Sequence, residues 1–440
     1  MSKKSLLIVT MLMTMGATGR LWAQSQALTM SLEQLFQTAD LHNTSIKSFD
    51  AAIREAEAGI KAAKAERLPD VDASVAFSYL GGGCIMDRDF SNGVGVHIPH
   101  YGNNFALTAS MPIYAGGAIT SGINLSRLAA DMAKANASDN QQRVRMMLAG
   151  YYLQLHNLKN QEQVFAENIA LTETLIGHTQ KRQSEGVVLK NDLTRYELQL
   201  EQLKLGRTQV QNQAKVINHQ LITALGMVED VTILTTDAFE LSTESAESRE
   251  DYWQLVATDN SPALRRAELG VKISEEKVRM EKSARRPTVA LVAEEHLDGP
   301  ITIEIPNLNK NMNYFFVGVG VKYRFGSLYK NKHKINKARL GTETARQQQQ
   351  MAVEGVENAV QSAYTNLQTA HAELETSRKS VELASQNYEV ISNRYQNGLA
   401  LVTDMVDAAN QRLDAQLRLV SSRINVLYNY YNLKFITGTL

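Results

Sequence analysis

Two periodicities in the placement of apolar residues run along the chain. The first has a period of seven. From Val353, apolar or aromatic residues recur at Val360, Leu367, Leu374, Val381, Tyr388 and Tyr395, with Val356, Ala363, Ala370, Ser377, Ala384 and Ile391 between them. This 3-4 alternation of large and small residues predicts coiled-coil helices that approach closely. The pattern stops at Asn397-Gly398 and resumes with Val406, Leu413, Leu417, Val420, Ile424, Leu427 and Tyr431. A Gly after Asn can take the left-handed conformation that ends a helix. The break therefore predicts the turn of an antiparallel hairpin over about 329–437. The first half does the same. Val144, Leu148, Tyr151, Leu155, Leu158, Phe165, Ile169 and Ile176 precede Glu185-Gly186, and Leu189, Leu193, Tyr196, Leu200, Leu203, Val210 and Ile217 follow it. The hairpin expected here covers about 118–226. Its first arm would be about 100 Å long at ~1.5 Å per residue, a rod rather than a globular domain.

The second period is two, and it appears in four segments expected as strands at about 70–80, 104–114, 287–297 and 314–325. In the first, Val71, Ala73, Val75, Phe77 and Tyr79 alternate with Asp70, Asp72, Ser74, Ala76 and Ser78; in the last, Phe315, Val317, Val319 and Val321 alternate with Phe316, Gly318, Gly320 and Lys322. The second places Phe105, Leu107, Ala109 and Met111 on one side, and the third is weaker, with Glu294 and Glu295 inside it. Segments of about ten to twelve residues match tilted membrane-spanning strands, with lipid on one face and water on the other. Tyr79, Tyr114, Tyr323 and Phe325 near the ends suit an interfacial girdle. Alternation alone also allows a soluble sheet packed on helices. In a membrane, four strands are too few to close a barrel, the smallest having about eight, and lipid does not tolerate open edges. The strands would then come from several copies.

The two halves are copies of one plan. Gly186 and Gly398, Asp192 and Asp404, and Gly226 and Gly438 each lie 212 positions apart, while Pro69 and Pro287 lie 218 apart. The expected organisation is a first copy at 24–230, a polar linker at 231–250 and a second copy at 251–440. Residues 1–23 have two lysines, an apolar run from Leu6 to Met15 and a small residue at Ala23. That is the layout of a secretory signal peptide, the run being too short to span a bilayer.

Composition narrows the function. With 46 basic and 46 acidic residues the net charge is zero, so nothing points to nucleic acid. Seven prolines in 440 residues suit long helices, and the single Cys84 excludes an intramolecular disulfide. The chain carries no phosphate loop, nucleophile elbow or HExxH, and Glu294-Glu295-His296 lacks the second His of a zinc helix. Neither catalysis nor a cofactor is expected. Cys84, Met86, His97 and His100 are metal-ligand types at no defined spacing. Their segment, Gly81 to Asn104, is expected as a loop beyond the strands, and no metal site is assigned.

Three stretches carry a resemblance: TMSLEQLFQTADLHNTSIKSFDAAIREAEAGIKAAKAERLPDV, the corner PIYAGGAITSGI, and RYQNGLALVTDMVDAANQRLDAQLRLVSSRINVLYNYYNLKFITGTL. The chain resembles the TolC family of outer-membrane efflux proteins over nearly all of its length after residue 23, duplicated as in that family. The resemblance implies a mixed α/β membrane protein. In it, long coiled-coil hairpins form a periplasmic α-barrel, and four β-strands per chain complete the 12-stranded transmembrane β-barrel of a homotrimer. It implies a bacterial outer-membrane duct working with a periplasmic membrane-fusion (adaptor) protein and an inner-membrane pump of the RND or ABC type. The alternatives are the exit duct of a type I protein or peptide secretion system and, further off, a pore-less exported coiled-coil protein.

The resemblance also assigns residues. Glu185-Gly186-Val187 and Asn397-Gly398-Leu399 match the hairpin tips that adaptors engage. Asp404 and Asp407 match an acidic ring at the periplasmic entrance, and Asp192 holds the place of Asp404 in the first copy. Their three-residue spacing puts Asp404 and Asp407 on one helix face, and charged rings favour cations. The competing reading is a solvated acidic face on an exposed tip. Family members that latch the entrance with an arginine after the turn Gly would have it near Ala400, where this chain has none. Tyr395, Arg394, Arg195 and Lys190 are the candidate substitutes.

Overall fold

The computed structural model of the protein describes residues 26–227, 231–236, 249–303 and 307–440. The expected signal peptide lies outside them. The first copy runs β1 (Gln26–Met30), α1 (Leu32–His42), α2 (Thr44–Ala65), β2 (Asp70–Tyr79), β3 (Gly83–Ile85), β4 (Val94–Val96), β5 (Tyr101–Ala115), α3 (Ala118–Ser184) and α4 (Lys190–Ala224). After β6 (Val231–Thr235), the second copy runs α5 (Glu250–Asn260), α6 (Pro262–Ser283), β7 (Thr288–Gly299), β8 (Met312–Lys322), α7 (Ser327–Gln396) and α8 (Val402–Thr437). With 67 and 70 residues, α3 and α7 are rods of about 100 Å.

Local chemistry starts and stops the shorter helices. Ser31 and Gln34 form a capping box at the head of α1. Asn43 ends α1 and opens α2, its Oδ1 accepting from the Ser45 and Ile46 amides at 2.9 and 3.2 Å. In the second copy Ser261-Pro262 makes the equivalent joint, with Pro at the first helical turn, where no amide partner is lost.

The four long strands form one antiparallel sheet in the order β2-β5-β7-β8. Because each strand runs directly into its own helix, the helices beneath pack in the same order, α2 on α3, α3 on α6 and α6 on α7. Farther down, α4 pairs with α3, α8 pairs with α7, and α3 of the first hairpin lies against α8 of the second. The buried core sits among these helices. Within the sheet, β2 is exposed along its whole length, and Val317, Val319 and Val321 of β8 are exposed as well. Both strands are sheet edges in the single chain.

The structure departs from the sequence expectation at three places. First, β8 ends at Lys322, so Tyr323 and Phe325 lie in the corner leading to α7. β5 is longer than expected, and its register to β7 shifts between Pro112 and Tyr114, where proline has no amide to donate. Second, the expected 81–104 loop holds a short antiparallel hairpin, β3 on β4. Third, the expected linker opens with a strand. β6 pairs in parallel with β1 and buries Val231, Ile233 and Thr235. The Tyr152 hydroxyl clamps this pair, donating to Met30 O at 2.7 Å and accepting from the Thr236 amide at 2.9 Å. The five residues Val231–Thr235 are too few to show a readable alternation, with Leu234 where a polar residue would stand, and the partner strand lies some two hundred positions away. Residues 237–248, the rest of the expected linker, lie outside the described residues.

Candidate functional site

The two hairpin turns stand side by side at the end of the rods far from the sheet, and both close in the same way. Gly186 has φ 76° and Gly398 φ 75°. The Gly186 amide donates to Gln183 O at 2.9 Å and that of Val187 to Arg182 O at 3.0 Å; the Gly398 amide donates to Tyr395 O at 3.0 Å and that of Leu399 to Arg394 O at 2.8 Å. These are paired Schellman closures, which satisfy the last carbonyls of a helix only when the turn residue is left-handed. Leu189 and Leu401 then lie in extended backbone and start α4 and α8. The turn residues Glu185, Gly186, Val187, Asn397, Gly398 and Leu399 are all exposed. Val187, Leu189, Leu399 and Leu401 present apolar surface in two matched pairs, 63 to 74% exposed.

Behind the turns lies a small core of its own. Tyr196, Met405, Ala408, Val402 and Tyr388 are buried, with Tyr395 packed against them. The Tyr395 ring meets Tyr196 edge-on at 6.4 Å between centroids, and the Arg182 guanidinium lies 5.6 Å from the Tyr395 ring centre. Arg412 stacks over Tyr388 at 3.9 Å. Burial pushes the Tyr196 phenol well above the usual tyrosine range, with Tyr395 adding to the effect. Burial also raises Tyr388, against the opposing charge of Arg412.

A cleft of about 270 Å³ separates the two turns, lined by Arg182, Asn191, Asp192, Arg195, Tyr395 and Ala400 among others. The structure thus brings together five of the expected residues, Val187, Asp192, Arg195, Tyr395 and Gly398, at the position where Ala400 stands. Asp404 and Asp407 are exposed and line no part of this cleft. Asp404 sits in the first turn of α8, and its Oδ2 accepts from the Leu401 amide at 3.0 Å, where the helix dipole favours a carboxylate. Asp407 Oδ2 accepts from Gln411 Nε2 at 2.7 Å. Arg394 is tied into its own turn, donating to Leu399 O at 3.3 Å, and Lys190 is exposed at the head of α4.

Sequence reasoning missed Arg182 and Arg412, and it missed the polar rungs joining the two hairpins. These are Gln199 to Asn410 at 3.2 Å, Asn168 to Gln416 at 3.1 Å and Gln161 to Ser421 at 3.1 Å. No local signal marks Arg182, because its aromatic partner belongs to the other copy. Polar residues that stand next to seam positions, such as Asn168 beside Ile169 and Gln199 beside Leu200, carry no signal that sets them apart from a solvated face.

Among the described residues no group of three metal-ligating side chains converges, and no helix is long and apolar enough to cross a membrane. The His97 and His100 rings meet edge to face at 6.0 Å between centroids, and His100 Nδ1 contacts Leu80 O at 2.9 Å. Cys84 is an exposed free thiol.

Comparison with solved structures gives the same architecture. The outer membrane protein VceC of Vibrio cholerae superposes with a TM-score of 0.74 at 15% identity, covering 92% of this chain and 96% of that one. The CmeC outer membrane channel of Campylobacter jejuni gives 0.72 at 15% identity, over 93% and 85%. The MtrE outer membrane channel of Neisseria gonorrhoeae gives 0.71 at 16%, over 92% and 88%. A sequence search among curated proteins finds no significant match. The family model described as Outer membrane efflux protein matches residues 35–227 and again 256–439. One match falls on each copy, and the chain belongs to the outer membrane efflux protein family, whose strands lie in the bacterial outer membrane and whose helices form a periplasmic tunnel.

Proposed function

We propose that three copies of the chain close a 12-stranded barrel, each β8 edge pairing with the β2 edge of the next copy. The trimer is the exit duct of a tripartite efflux system, receiving small toxic compounds from a periplasmic adaptor and an inner-membrane RND or ABC pump. The observation that carries this reading is the sheet itself. Its two edges are unpaired in the single chain, and Val71, Val75 and Phe77 of β2 and Val317, Val319 and Val321 of β8 are exposed along them. Lipid would tolerate neither edge unless another strand covered it. The duct acts by conduction, without catalysis, cofactor or metal.

In the assembled entrance, Asp404 and Asp407 of each copy ring the axis, with Asp192 behind them in the cleft. Adaptor tips contact Glu185 to Val187 and Asn397 to Leu399. Their exposed apolar neighbours favour a coiled-coil partner of like chemistry. Tyr395 holds the entrance through Arg182 and Tyr196, and Arg195 lies in the same cleft. Planar-bilayer recording of the native protein and of Asp404→Ala/Asp407→Ala separates these claims. The expected result is conductance from both, with cation preference reduced in the variant. Silence from both would sink the duct reading, and an unchanged preference would sink the acidic ring alone. A strain lacking the protein that stays resistant to toxic compounds yet fails to secrete a polypeptide would favour the type I secretion alternative.

A further inference from the structure

The corner between β8 and α7 carries a concentration of charge that the fold does not need. From Met312 to Thr342 the sequence has seven basic residues and no acidic one. Lys322 and Arg324 flank the end of β8, and Lys330, Lys332, Lys334, Lys337 and Arg339 follow in the first turns of α7. All seven are exposed, and among the described residues none forms an ion pair. Beside them Phe325 and Tyr329 are 73% and 67% exposed.

Lys330, in the first turn of α7, sits where it weakens an isolated helix. The N-terminal end of a helix dipole is positive and disfavours basic side chains. Lys330 and Lys334, four apart, and Lys334 and Lys337, three apart, repel along one stripe. No side chain caps the start of α7; the Ser327 and Leu328 amides donate instead to Arg324 O and Phe325 O of the corner at 2.9 and 3.1 Å. The helix anchors elsewhere, through buried Asn331 and Ile335, Asn331 donating to Glu281 O of α6 at 2.8 Å. The duplicated corner is an internal control. In the first copy Ala118 to Ala130 begins α3 with Arg127 as its only charged residue, and the strand-to-helix corner forms without the cluster.

The position of this surface names its partner. β8 descends through the outer membrane with Val317, Val319 and Val321 in its apolar row, and Lys322 is its last residue. The basic turns therefore meet the periplasmic surface of the bilayer. We infer that the β8–α7 corner is a seat for anionic phospholipid headgroups of the periplasmic leaflet, with Phe325 and Tyr329 dipping into the interface and Lys330, Lys334 and Lys337, which share one face of α7, gripping the phosphates. Juxtamembrane basic clusters and interfacial aromatics attract such lipids. The inference rests on the outer-membrane location of the family and not on the exit-duct reading.

The test titrates the purified full-length protein, in nonionic detergent, with fluorescent phosphatidylglycerol and with phosphatidylcholine. The native protein is expected to prefer phosphatidylglycerol, less so as salt rises. Changing Lys330, Lys332, Lys334, Lys337 and Arg339 together to Gln should weaken phosphatidylglycerol binding roughly tenfold or more and leave phosphatidylcholine unchanged. Exchanging the same lysines for arginine should keep the preference. If the fivefold variant fails to fold, K330Q/K334Q should lose most of it and K332Q/R339Q, on the opposite face of the helix, should keep it. Equal binding of the two lipids by the native protein, or a preference retained by the fivefold variant or by K330Q/K334Q, overturns the proposal. Displacement of the lipid by inorganic phosphate or by an acidic peptide at comparable concentration also overturns it, assigning the surface to that ligand instead.

Discussion

The two ends of each hairpin use one closure in opposite surroundings. At the tips Gly186 and Gly398, and at the equator Gly226 and Gly438, are left-handed residues, with φ between 67° and 78°. The equatorial pair repeats the tip bonding. The Gly226 and Met227 amides reach Thr223 O and Ile222 O at 3.1 Å each, and those of Gly438 and Thr439 reach Phe435 O and Lys434 O at 3.1 and 2.9 Å. A Cβ at either tip glycine would meet open space. One at Gly226 would lie 2.9 Å from His42 O, and one at Gly438 would run into Asn260 O and Pro262. His42 and Asn260 end the short helices α1 and α5, so each copy docks its short helix pair on the foot of its own hairpin. The motif is the same, but at the equator it is a locked joint and at the tip a free-standing turn. A turn with open space around it has a freedom to move that the locked joint lacks.

The comparison can be broken by substitution. Gly438→Ala should have the largest effect. It combines left-handed strain with a clash against backbone, costing about 3 kcal/mol or more, seen as a large drop in the thermal midpoint of the purified protein. Met405→Ala, which empties the tip core, should cost about 2–3 kcal/mol and raise the protease sensitivity of the tips before that of the equator. Gly398→Ala should cost about 1 kcal/mol, from strain alone. Equal losses at 398 and 438 would mean that the surroundings do not matter. Asp404→Ala should cost about 0.5–1 kcal/mol by removing the bond to the Leu401 amide, while Asp407→Ala should be nearly silent in stability.

The smallest effect concerns alkali. Burial holds Tyr196 neutral, its folded value lying above its unfolded one. The stability this contributes is fully present below about pH 10 and is lost as the pH rises beyond it. Tyr196→Phe should remove that alkaline loosening of the tip, measured as protease sensitivity against pH. An unchanged profile would place the lability elsewhere.

Much of the candidate site was legible because its signals are local. The turns at Gly186 and Gly398 followed from interrupted heptads, and their equivalence followed from the shared offset. The acids past the turn were visible as residues but not as structure. Asp404 proved to cap its own helix, Asp192 proved to line the cleft, and Arg394 proved to brace its own turn. Arg182, missed altogether, reaches Tyr395 from the other hairpin. Such pairings depend on how α3 lies against α8, and no window of sequence contains both partners.

What the sequence determined by itself are the features that repeat within one or two turns of backbone: rods from a seven-residue seam, strands from alternation, hairpin ends from left-handed glycines, and two copies from a constant offset. Only the tertiary structure decided the β1–β6 pairing, the common order of strands and helices, the cleft between the tips and the crowding that separates Gly438 from Gly398. Those are relations between residues far apart in the chain. They are set by the packing of one copy against the other, where shape and burial choose among many partners that local pattern leaves equivalent.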